Sequence, residues 1–394
     1  MPLAGLVPSK SQGGATASAH VIAVGRRTGT SESLVADTVI SNAPWFAALP
    51  LDAAYSWAAS ALGCAWRRRV AILKYSSSRE PKVPHDIDRR TFLNRSASLA
   101  ASVWVARRPL QRRSGTRLIL LGTGGGPRPR KQRSASAQVI VVNGAAYVVD
   151  CGDGVARQLV LADVALPSLR GVFVTHHHSD HNADYGNLML LAWTAGLQTR
   201  VDTWGPPPLE RMTAQFLEMN SSDITARIAD EGRVPLAPLI HPHDISIGGR
   251  VMQDANVTVS AAVVHHPPTD PAFAYRFDAA DRSIVISGDT APSDALIELA
   301  RGANVLVHEA LYLPGLDRMV ARVPNATTLR QSILSHHTTA EDAGRIAAAA
   351  GVGTLVLSHL VPPDDSTITD QLWIDAARTH FAGQIIVGKD LLEV

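Results

Sequence analysis

The densest group of metal-binding side chains is the segment Thr175-His176-His177-His178-Ser179-Asp180-His181, which follows the apolar run 172–174. His176 and His178 are two residues apart, so they project the same way if the chain is locally extended. Asp180 and His181 can form a second pair after the chain turns. Zinc accepts imidazole and carboxylate ligands without cysteine. The spacing therefore predicts a loop that serves two adjacent metal ions.

Further histidines and acidic residues follow later apolar runs. Runs 257–264, 283–286, 304–307 and 354–357 lead respectively to His265 and His266, to Asp289, to His308 and Glu309, and to His359. Packing does not require a His or Asp at the end of each of four strands. We therefore expect these side chains to converge on the same edge as the histidine-rich loop.

The runs alternate with helical segments, which favours a layered α/β domain. Residues 117–121 predict a buried strand, and 138–142 with 146–149 predict a hairpin around Asn143-Gly144. Helices are expected at 209–219, 293–301, 340–350 and 368–381. Thr338 and Glu341 suggest a capping box for the third helix, which places His337 at its entrance.

The glycine-rich turn Gly122-Thr-Gly-Gly-Gly126-Pro127 follows the first strand. It is not a phosphate loop, because no Lys-Ser/Thr pair follows. Two interpretations stay open, a plain tight turn and a turn that approaches a ligand.

Charge divides the 394-residue chain into two parts. Residues 1–115 carry 16 basic and 6 acidic side chains, whereas residues 116–394 carry 21 basic and 29 acidic ones and thirteen of the fifteen histidines. The acidic second part disfavours broad electrostatic capture of RNA. Cys64 and Cys151 are the only cysteines, which excludes a disulfide scaffold or a Cys-rich metal site. No apolar run reaches about 18 residues, so stable membrane insertion is not expected.

Residues 1–115 are predicted to form a basic, disordered extension. Within it, Arg89-Arg90 followed by Phe92-Leu93 and a weakly apolar stretch resembles a twin-arginine export signal spanning 88–106. A working signal would place the protein in the periplasm or outside the cell, and otherwise it would be cytoplasmic.

Taken in order, the motifs resemble the metallo-β-lactamase superfamily over residues 116–394. They are HxHxDH at 176–181, SGDT at 287–290, HEA at 308–310, HxT at 337–339 and the late His359. The glycine turn and the VVDCGDG stretch are similar to the branch that holds ribonuclease Z and the arylsulfatase-like metallohydrolases. The resemblance implies a four-layer αββα sandwich with two zinc ions at one edge of its sheets.

The resemblance also implies a ligand set. His176, His178 and His266 would bind the first zinc ion, Asp180, His181 and His359 the second, and Asp289 would bridge them. His266 is preferred over His265 because it has the family's spacing to Pro271-Ala272.

Three residues are candidates for catalysis. Asp180 would orient or deprotonate a water-derived nucleophile, and His337 resembles a proton donor to the leaving group. Glu309 would orient His337, or would form a purely structural pair with His308.

The substrate is less well defined. Asp184 stands where tRNA-processing members carry Gly, and Leu-Val-Pro-Pro follows His359 where they carry Ser-x-Arg-Tyr. No basic Gly/Pro-rich arm lies between His181 and His266. Trp193 and Trp204 could line an apolar mouth or simply pack, and the basic cluster at 128–133 could receive a phosphate or sulfate or lie solvated.

These departures favour a binuclear zinc hydrolase of a small phosphoester or sulfate ester, similar to an arylsulfatase or phosphodiesterase. The first alternative is a ribonuclease Z-type tRNA 3′-processing endoribonuclease, with RNA disfavoured as a partner. A carboxylic ester or lactone hydrolase and a non-catalytic metal-binding module are further alternatives. Family members are often homodimers, but no interface is evident in this sequence.

Overall fold

Two β-sheets and ten α-helices make up the described part of the chain. The structure is a computed structural model that describes residues 115–323 and 328–394. The predicted N-terminal extension, its twin-arginine segment and Cys64 lie outside these residues, apart from the last residue of the extension. Among the described helices none has the length and apolar character needed to cross a membrane.

The first sheet contains six strands in the order in which they occur along the chain. Strands β1 to β3 are antiparallel, and β3 to β6 are parallel. Their bounds are β1 Arg117–Gly122, β2 Ala137–Val142, β3 Ala145–Val149, β4 Leu169–Phe173, β5 Val201–Gly205 and β6 Ile240–Asp244.

The second sheet contains seven strands in reverse chain order, from β13 to β7. Strands β7 to β10 are antiparallel, and β10 to β13 are parallel. Their bounds are β7 Gly249–Gln253, β8 Val257–Val264, β9 Ala272–Ala279, β10 Ser283–Ile286, β11 Val305–Leu311, β12 Thr354–Val361 and β13 Gln384–Val387.

The helices connect the strands and cover the outer faces of the sheets. They are α1 Val155–Leu161, α2 Ser179–Asn182, α3 Tyr185–Thr194, α4 Leu209–Met219, α5 Ser221–Glu231, α6 Asp294–Ala300, α7 Leu313–Val320, α8 Leu329–His336, α9 Ala340–Ala350 and α10 Asp370–Arg378. Short 3-10 turns occur at Leu166–Ser168 and Ala237–Leu239.

Three apolar layers hold this arrangement together. Phe173 and Tyr147 of the first sheet pack between the sheets against Tyr275 and Phe277 of the second. A second cluster joins the first sheet to α1 and α3, and a third joins the second sheet to α6, α9 and α10. This gives a four-layer αββα sandwich, so the predicted fold class is confirmed.

The parallel strands explain where the polar residues meet. Along β4, Phe173 faces the other sheet while Val172 and Val174 face the helices, as strand alternation requires. The histidine-rich loop begins directly after this strand. In the second sheet β8 and β10 are each antiparallel to β9, so they run in the same direction and the residues that follow them leave that sheet at the same edge. The packing of the two sheets brings this edge together with the loop after β4.

Two local predictions need correction. The strand predicted at 304–307 runs on to Leu311, so His308 and Glu309 lie within a strand rather than beyond its end. The N-cap of α9 is Thr339, whose hydroxyl accepts a hydrogen bond from the Asp342 N–H, and not Thr338. The Thr338 hydroxyl is buried and donates to the carbonyl of Thr290 instead, which leaves the next threonine free to cap.

Candidate metal centre

Three imidazoles converge at the first half of the centre. His178 Nδ1 lies 3.0 Å from His176 Nε2 and 3.2 Å from His266 Nε2. Ligand nitrogens around a tetrahedral zinc ion with bonds of about 2.0–2.1 Å are separated by about 3.3–3.4 Å. The nitrogens are therefore spaced as three ligands of one small metal ion would be.

The second half of the centre contains Asp180, His181 and His359. Asp180 Oδ2 lies 3.7 Å from His181 Nε2 and 3.3 Å from His359 Nε2. All three side chains are buried. These atoms form a second group close enough to share one ion.

Asp289 lies between the two groups. Its Oδ2 is 3.9 and 4.0 Å from Nε2 of His176 and His266, and 3.3 and 3.2 Å from Nε2 of His181 and His359. One carboxylate therefore faces both triads, which is the position expected of a bridging ligand. The structure brings all seven predicted ligands together, and their binding of metal stays a prediction.

The choice between His265 and His266 follows from the end of β8. His266 is buried and faces the other imidazoles, whereas His265 is exposed. The geometry favours His266.

Buried polar atoms without partners test whether the residues suit a cation. His181 Nε2 and Asp289 Oδ1 are buried and have no hydrogen-bond partner among the described residues. Leaving such atoms unpaired costs about 1–3 kcal/mol each, and more for a charged group. A metal ion beside His181 would satisfy its Nε2, so the donor set fits the dinuclear zinc centre that the sequence predicts.

Neighbouring residues orient each imidazole of the first triad from its far side. His176 Nδ1 is 3.1 Å from the Thr175 hydroxyl, and His178 Nε2 is 3.1 Å from the Thr269 hydroxyl. His266 Nδ1 is 2.9 Å from the carbonyl of His336. Such contacts fix the ring and its tautomer, so the opposite nitrogen points toward the metal position.

Asp150 performs this role for His181, and sequence reasoning did not assign it one. Its Oδ2 is 2.8 Å from His181 Nδ1, and its Oδ1 accepts the Thr175 N–H. Asp150 has a φ of 61°, a left-handed conformation that Asp tolerates better than most residues. Its place directly after β3 was the available signal, since the other site residues also follow strands.

The environment sets the charge of the imidazoles. Burial lowers the pKa of His176, of His178 and of His266, the last to about 4, which favours the neutral form that binds metal. Burial also opposes ionisation of His181, but the carboxylates of Asp289, Asp150 and Asp180 outweigh it and raise its pKa.

The glycine-rich turn faces the centre, which decides between its two interpretations. The Gly126 N–H donates to Asp180 Oδ2 at 2.8 Å. A Cβ on Gly125 would lie 2.8 Å from the His359 ring and 2.5 Å from Val361. The turn therefore needs glycine at 125, because its backbone packs directly against a candidate ligand.

A β-bulge places His359 in the centre. Glu309 pairs with Ser358 and Ala310 pairs with Leu360, so His359 is an extra residue in β12. Its φ is 41°. Thus His359 lies within a strand, not after one as expected, and the bulge turns its side chain toward Asp180.

His337 and Glu309 form a buried pair beside the centre. His337 Nδ1 is 2.7 Å from Glu309 Oε2, and Glu309 Oε1 accepts the Thr290 N–H. Burial disfavours the charged imidazole, but the adjacent Glu309 carboxylate outweighs it and raises the pKa of His337 to about 9. His308 is not part of this pair, and its Nδ1 lies 2.8 Å from the backbone carbonyl of Glu309. The geometry supports the orienting role for Glu309.

A cleft of about 570 Å³ opens over the candidate ligands and over His337. One wall is the loop that continues the glycine turn, and includes Arg128 and Arg130. Another part of the lining, here named the apolar wall, consists of Met319, Val323, Leu329, Ile333 and Val361. The exposed carboxylate of Asp364 also lines the cleft.

The tryptophans could line an apolar mouth or pack in the core, and the structure favours packing. Trp193 and Trp204 are buried in the two cores of the first sheet and do not line the cleft. The apolar mouth comes instead largely from α7 and α8, two helices that the sequence reasoning did not predict.

The basic cluster at 128–133 contains arginines that bond to the protein and one that does not. Arg130 donates to the carbonyls of Gly125 and Gly126, and Arg133 donates to Thr123, Pro363 and Gly388. Arg128 is exposed at the cleft and has no hydrogen bond or ion pair within the described ranges. Only part of the cluster is therefore free to receive an anion.

Residues 146–360 match the family described as "Beta-lactamase superfamily domain". The chain is 32% identical over 280 residues to a protein named ribonuclease Z from Mycobacterium bovis, covering 70% of this chain and 97% of that one. It is 34% identical over 279 residues to a ribonuclease Z of Mycobacterium sp. strain KMS, covering 70% and 95%.

Two solved structures share the fold. The metallo-β-lactamase fold protein YhfI from Bacillus subtilis has a TM-score of 0.53 at 21% identity, with 71% of this chain and 98% of that chain covered. The short form of human tRNase Z has a TM-score of 0.51 at 20% identity, with the same shares covered.

Proposed function

Since the chain belongs to the metallo-β-lactamase superfamily, in the ribonuclease Z-like branch, we propose that this metallohydrolase cleaves a phosphodiester bond in RNA as a ribonuclease Z-type endoribonuclease. The observation that carries the proposal is identity of 32–34% over nearly the whole length of proteins named ribonuclease Z. The proposed substrate is a precursor tRNA with a 3′ trailer.

This proposal reverses the ranking that the sequence favoured. A small phosphoester or sulfate ester was preferred because tRNA-processing motifs are missing around Asp184 and after His359. The relatives bear the ribonuclease Z name and give no support to an arylsulfatase. The absent motifs therefore count for less than similarity along the whole domain.

The centre is proposed to hold two zinc ions, with His176, His178 and His266 on one, Asp180, His181 and His359 on the other, and Asp289 between them. When bound, such a pair lowers the pKa of water and neutralises charge on a phosphodiester in its transition state. The protein's contribution is to place substrate, water and proton donor around that pair.

Asp180 is proposed to orient the attacking water. Its Oδ2 already accepts the Gly126 N–H, so its position is fixed by the glycine turn. A carboxylate held in this way can direct the lone pair of a nearby water toward phosphorus.

His337 is proposed to protonate the leaving oxygen. Glu309 occupies its Nδ1, which leaves Nε2 as the nitrogen available to a group in the cleft. As the new bond from the water oxygen to phosphorus forms, the bond from phosphorus to the leaving oxygen breaks, and that oxygen takes the proton from His337 Nε2. The attacking water gives its own proton to solvent by way of Asp180, and solvent returns a proton to His337. The neighbouring carboxylate keeps the imidazole protonated for this step.

The test is cleavage of a precursor tRNA with a 3′ trailer by the zinc-loaded full chain. An aryl phosphodiester and an aryl sulfate are assayed in parallel, and Asp289→Ala controls for a contaminating nuclease. We expect a cut at the tRNA 3′ end that the control loses. Turnover of an aryl ester without tRNA cleavage would refute the proposal.

A further inference from the structure

The two walls of the cleft differ in character. Arg128 and the backbone of the glycine turn form the polar wall, and the apolar wall consists of Met319, Val323, Leu329, Ile333 and Val361. A site that received only a phosphate group would need the first wall and the metal centre. The apolar wall has no role in the chemistry derived above.

The apolar wall is a built surface rather than a few scattered side chains. Leu329 and Ile333 are one helical turn apart on α8, so they lie on the same face. Beneath them, Leu311, Leu316 and Val361 form a small buried cluster against which Ile333 also packs. The wall thus has a fixed apolar backing, and its outer side is partly exposed to the cleft.

The chain connects this wall directly to the proposed proton donor. Helix α8 ends at His336, and the next residue is His337. The carbonyl of His336 also contacts His266. The apolar wall is therefore joined through α8 to the proposed proton donor.

We propose that the apolar wall is a subsite for an unpaired nucleobase, that of the nucleoside carrying the leaving oxygen. This inference rests on the proposed function. A planar base joined to the leaving oxygen would cover Leu329 and Ile333, while Arg128, which lines the same cleft, would contact a backbone phosphate. The cleft volume of about 570 Å³ accommodates a ligand of nucleotide size.

The same wall could accept any flat ring attached to the reacting ester, including the aryl group of a small substrate. The nucleobase is favoured because Arg128, an exposed cation without a hydrogen bond or ion pair among the described residues, lines the same cleft and is available to a second phosphate of the chain. An aryl ester has no second phosphate to use it. The experiment has to separate the two ring types.

The test combines base removal in the RNA with truncation of the wall. Precursor tRNAs carry an abasic nucleotide on one side or the other of the scissile bond, and product ends identify which oxygen leaves. Wild type, Ile333→Ala, Leu329→Ala and the exposed same-helix control Gln331→Ala are compared by kcat/KM, with zinc content and Tm measured for each.

Removing the base on the leaving-group side should lower kcat/KM of wild type and Gln331→Ala about tenfold. The same removal should cost Ile333→Ala or Leu329→Ala less than about threefold, because the surface that the base contacts is already gone. Removing the base on the other side of the scissile bond should lower kcat/KM by the same factor in all four proteins.

The subsite would be overturned if base removal on the leaving-group side lowered kcat/KM equally in wild type and the wall variants. It would also be overturned if only base removal on the other side of the scissile bond lowered kcat/KM. Loss of aryl phosphodiester turnover in the wall variants, without any effect of base removal, would assign the wall to a small aryl substrate instead. If wild type cleaves aryl esters but no intact RNA, the proposed function fails first, and that result is distinct from both.

Discussion

At the residue scale, the contacts behind the candidate ligands and the proton donor differ in kind. Thr175, Thr269 and the His336 carbonyl hold the first triad with neutral groups, whereas Asp150 holds His181 with a carboxylate. A carboxylate raises the basicity of the imidazole it contacts. His181 should therefore be a stronger donor to a metal ion than the imidazoles of the first triad.

His337→Ala should separate the proton-donor role from a structural one. Without its acid, cleavage of RNA should fall by about 10²- to 10⁴-fold, because an alkoxide leaves poorly. An aryl phosphodiester, whose leaving group is stable as an anion, should lose less than about tenfold.

Steady-state rates on both substrates, with zinc content as the control, check this prediction. Equal losses on both substrates would show that His337 acts on metal binding or folding and not on the leaving group.

Arg128→Ala should weaken RNA binding without damaging the centre. Its guanidinium has no partner among the described residues, so the loss would be one phosphate contact, and the slope of log K against log salt should drop by about one. Arg133→Ala is the contrasting variant, because Arg133 holds the loop through three acceptors and should lower Tm.

Binding titrations of zinc-loaded protein at several salt concentrations test this prediction. An unchanged salt slope in Arg128→Ala would show that Arg128 does not contact a phosphate of the RNA.

At the element scale, two irregularities of the backbone place the second group of ligands. The glycine turn after β1 brings an N–H to Asp180, and the bulge in β12 turns His359 inward. The two features touch each other, because the Gly125 N–H donates to the carbonyl of Leu360. Regular strands could not deliver both side chains to one point.

Gly125→Ala should impair one metal position more than the other. The added methyl would lie 2.5 Å from Val361 and 2.8 Å from the His359 ring, so the ring must leave its present position in the centre. We expect zinc content to fall from two ions toward one. Gly232→Ala is the control for backbone strain without a steric clash, since that glycine has a φ of 65° but no neighbouring atom within 4 Å of the new methyl.

Metal analysis after dialysis against a weak chelator, with Tm alongside, measures the effect. Retention of two ions by Gly125→Ala would mean that a methyl group at position 125 does not displace the His359 ring.

At the scale of the whole molecule, the centre joins the two sheets. His176, His178, Asp180 and His181 follow β4 of the first sheet, while His266, Asp289 and His359 belong to the second. Without a cation, the buried carboxylates of Asp180, Asp289 and Glu309 share one small volume. Bound ions would therefore stabilise the packing of one sheet on the other.

Removal of metal should lower Tm substantially. An ion present at 1,000 times its Kd contributes about 4 kcal/mol, and each kcal/mol moves Tm by about 2–4 °C in a domain of this size, so the fall should be on the order of 10 °C. Differential scanning calorimetry with and without chelator checks this, and re-addition of zinc should restore Tm. An unchanged Tm after complete metal removal would contradict the role of the centre as a link between the sheets.

The sequence was sufficient for the fold class and for gathering the candidate site. Apolar runs ending in His or Asp specify strands whose polar residues meet at one edge, because parallel strands carry their carboxyl ends together. That local rule places His176 and His178 at an edge of the first sheet and Asp289 at an edge of the second, and the packing of the two sheets brings them together. It also led to His266, although only the family spacing separated it from His265.

Tertiary structure decided what local pattern could not encode. The bulge at His359 depends on the register of β12 against β11, and the function of Gly125 depends on a ring 234 positions away in the chain. The support by Asp150, the buried tryptophans and the apolar wall on α7 and α8 likewise arise from contacts between distant segments. Periodicity reports which face of an element is buried, whereas the neighbour that buries it is set only when the layers pack.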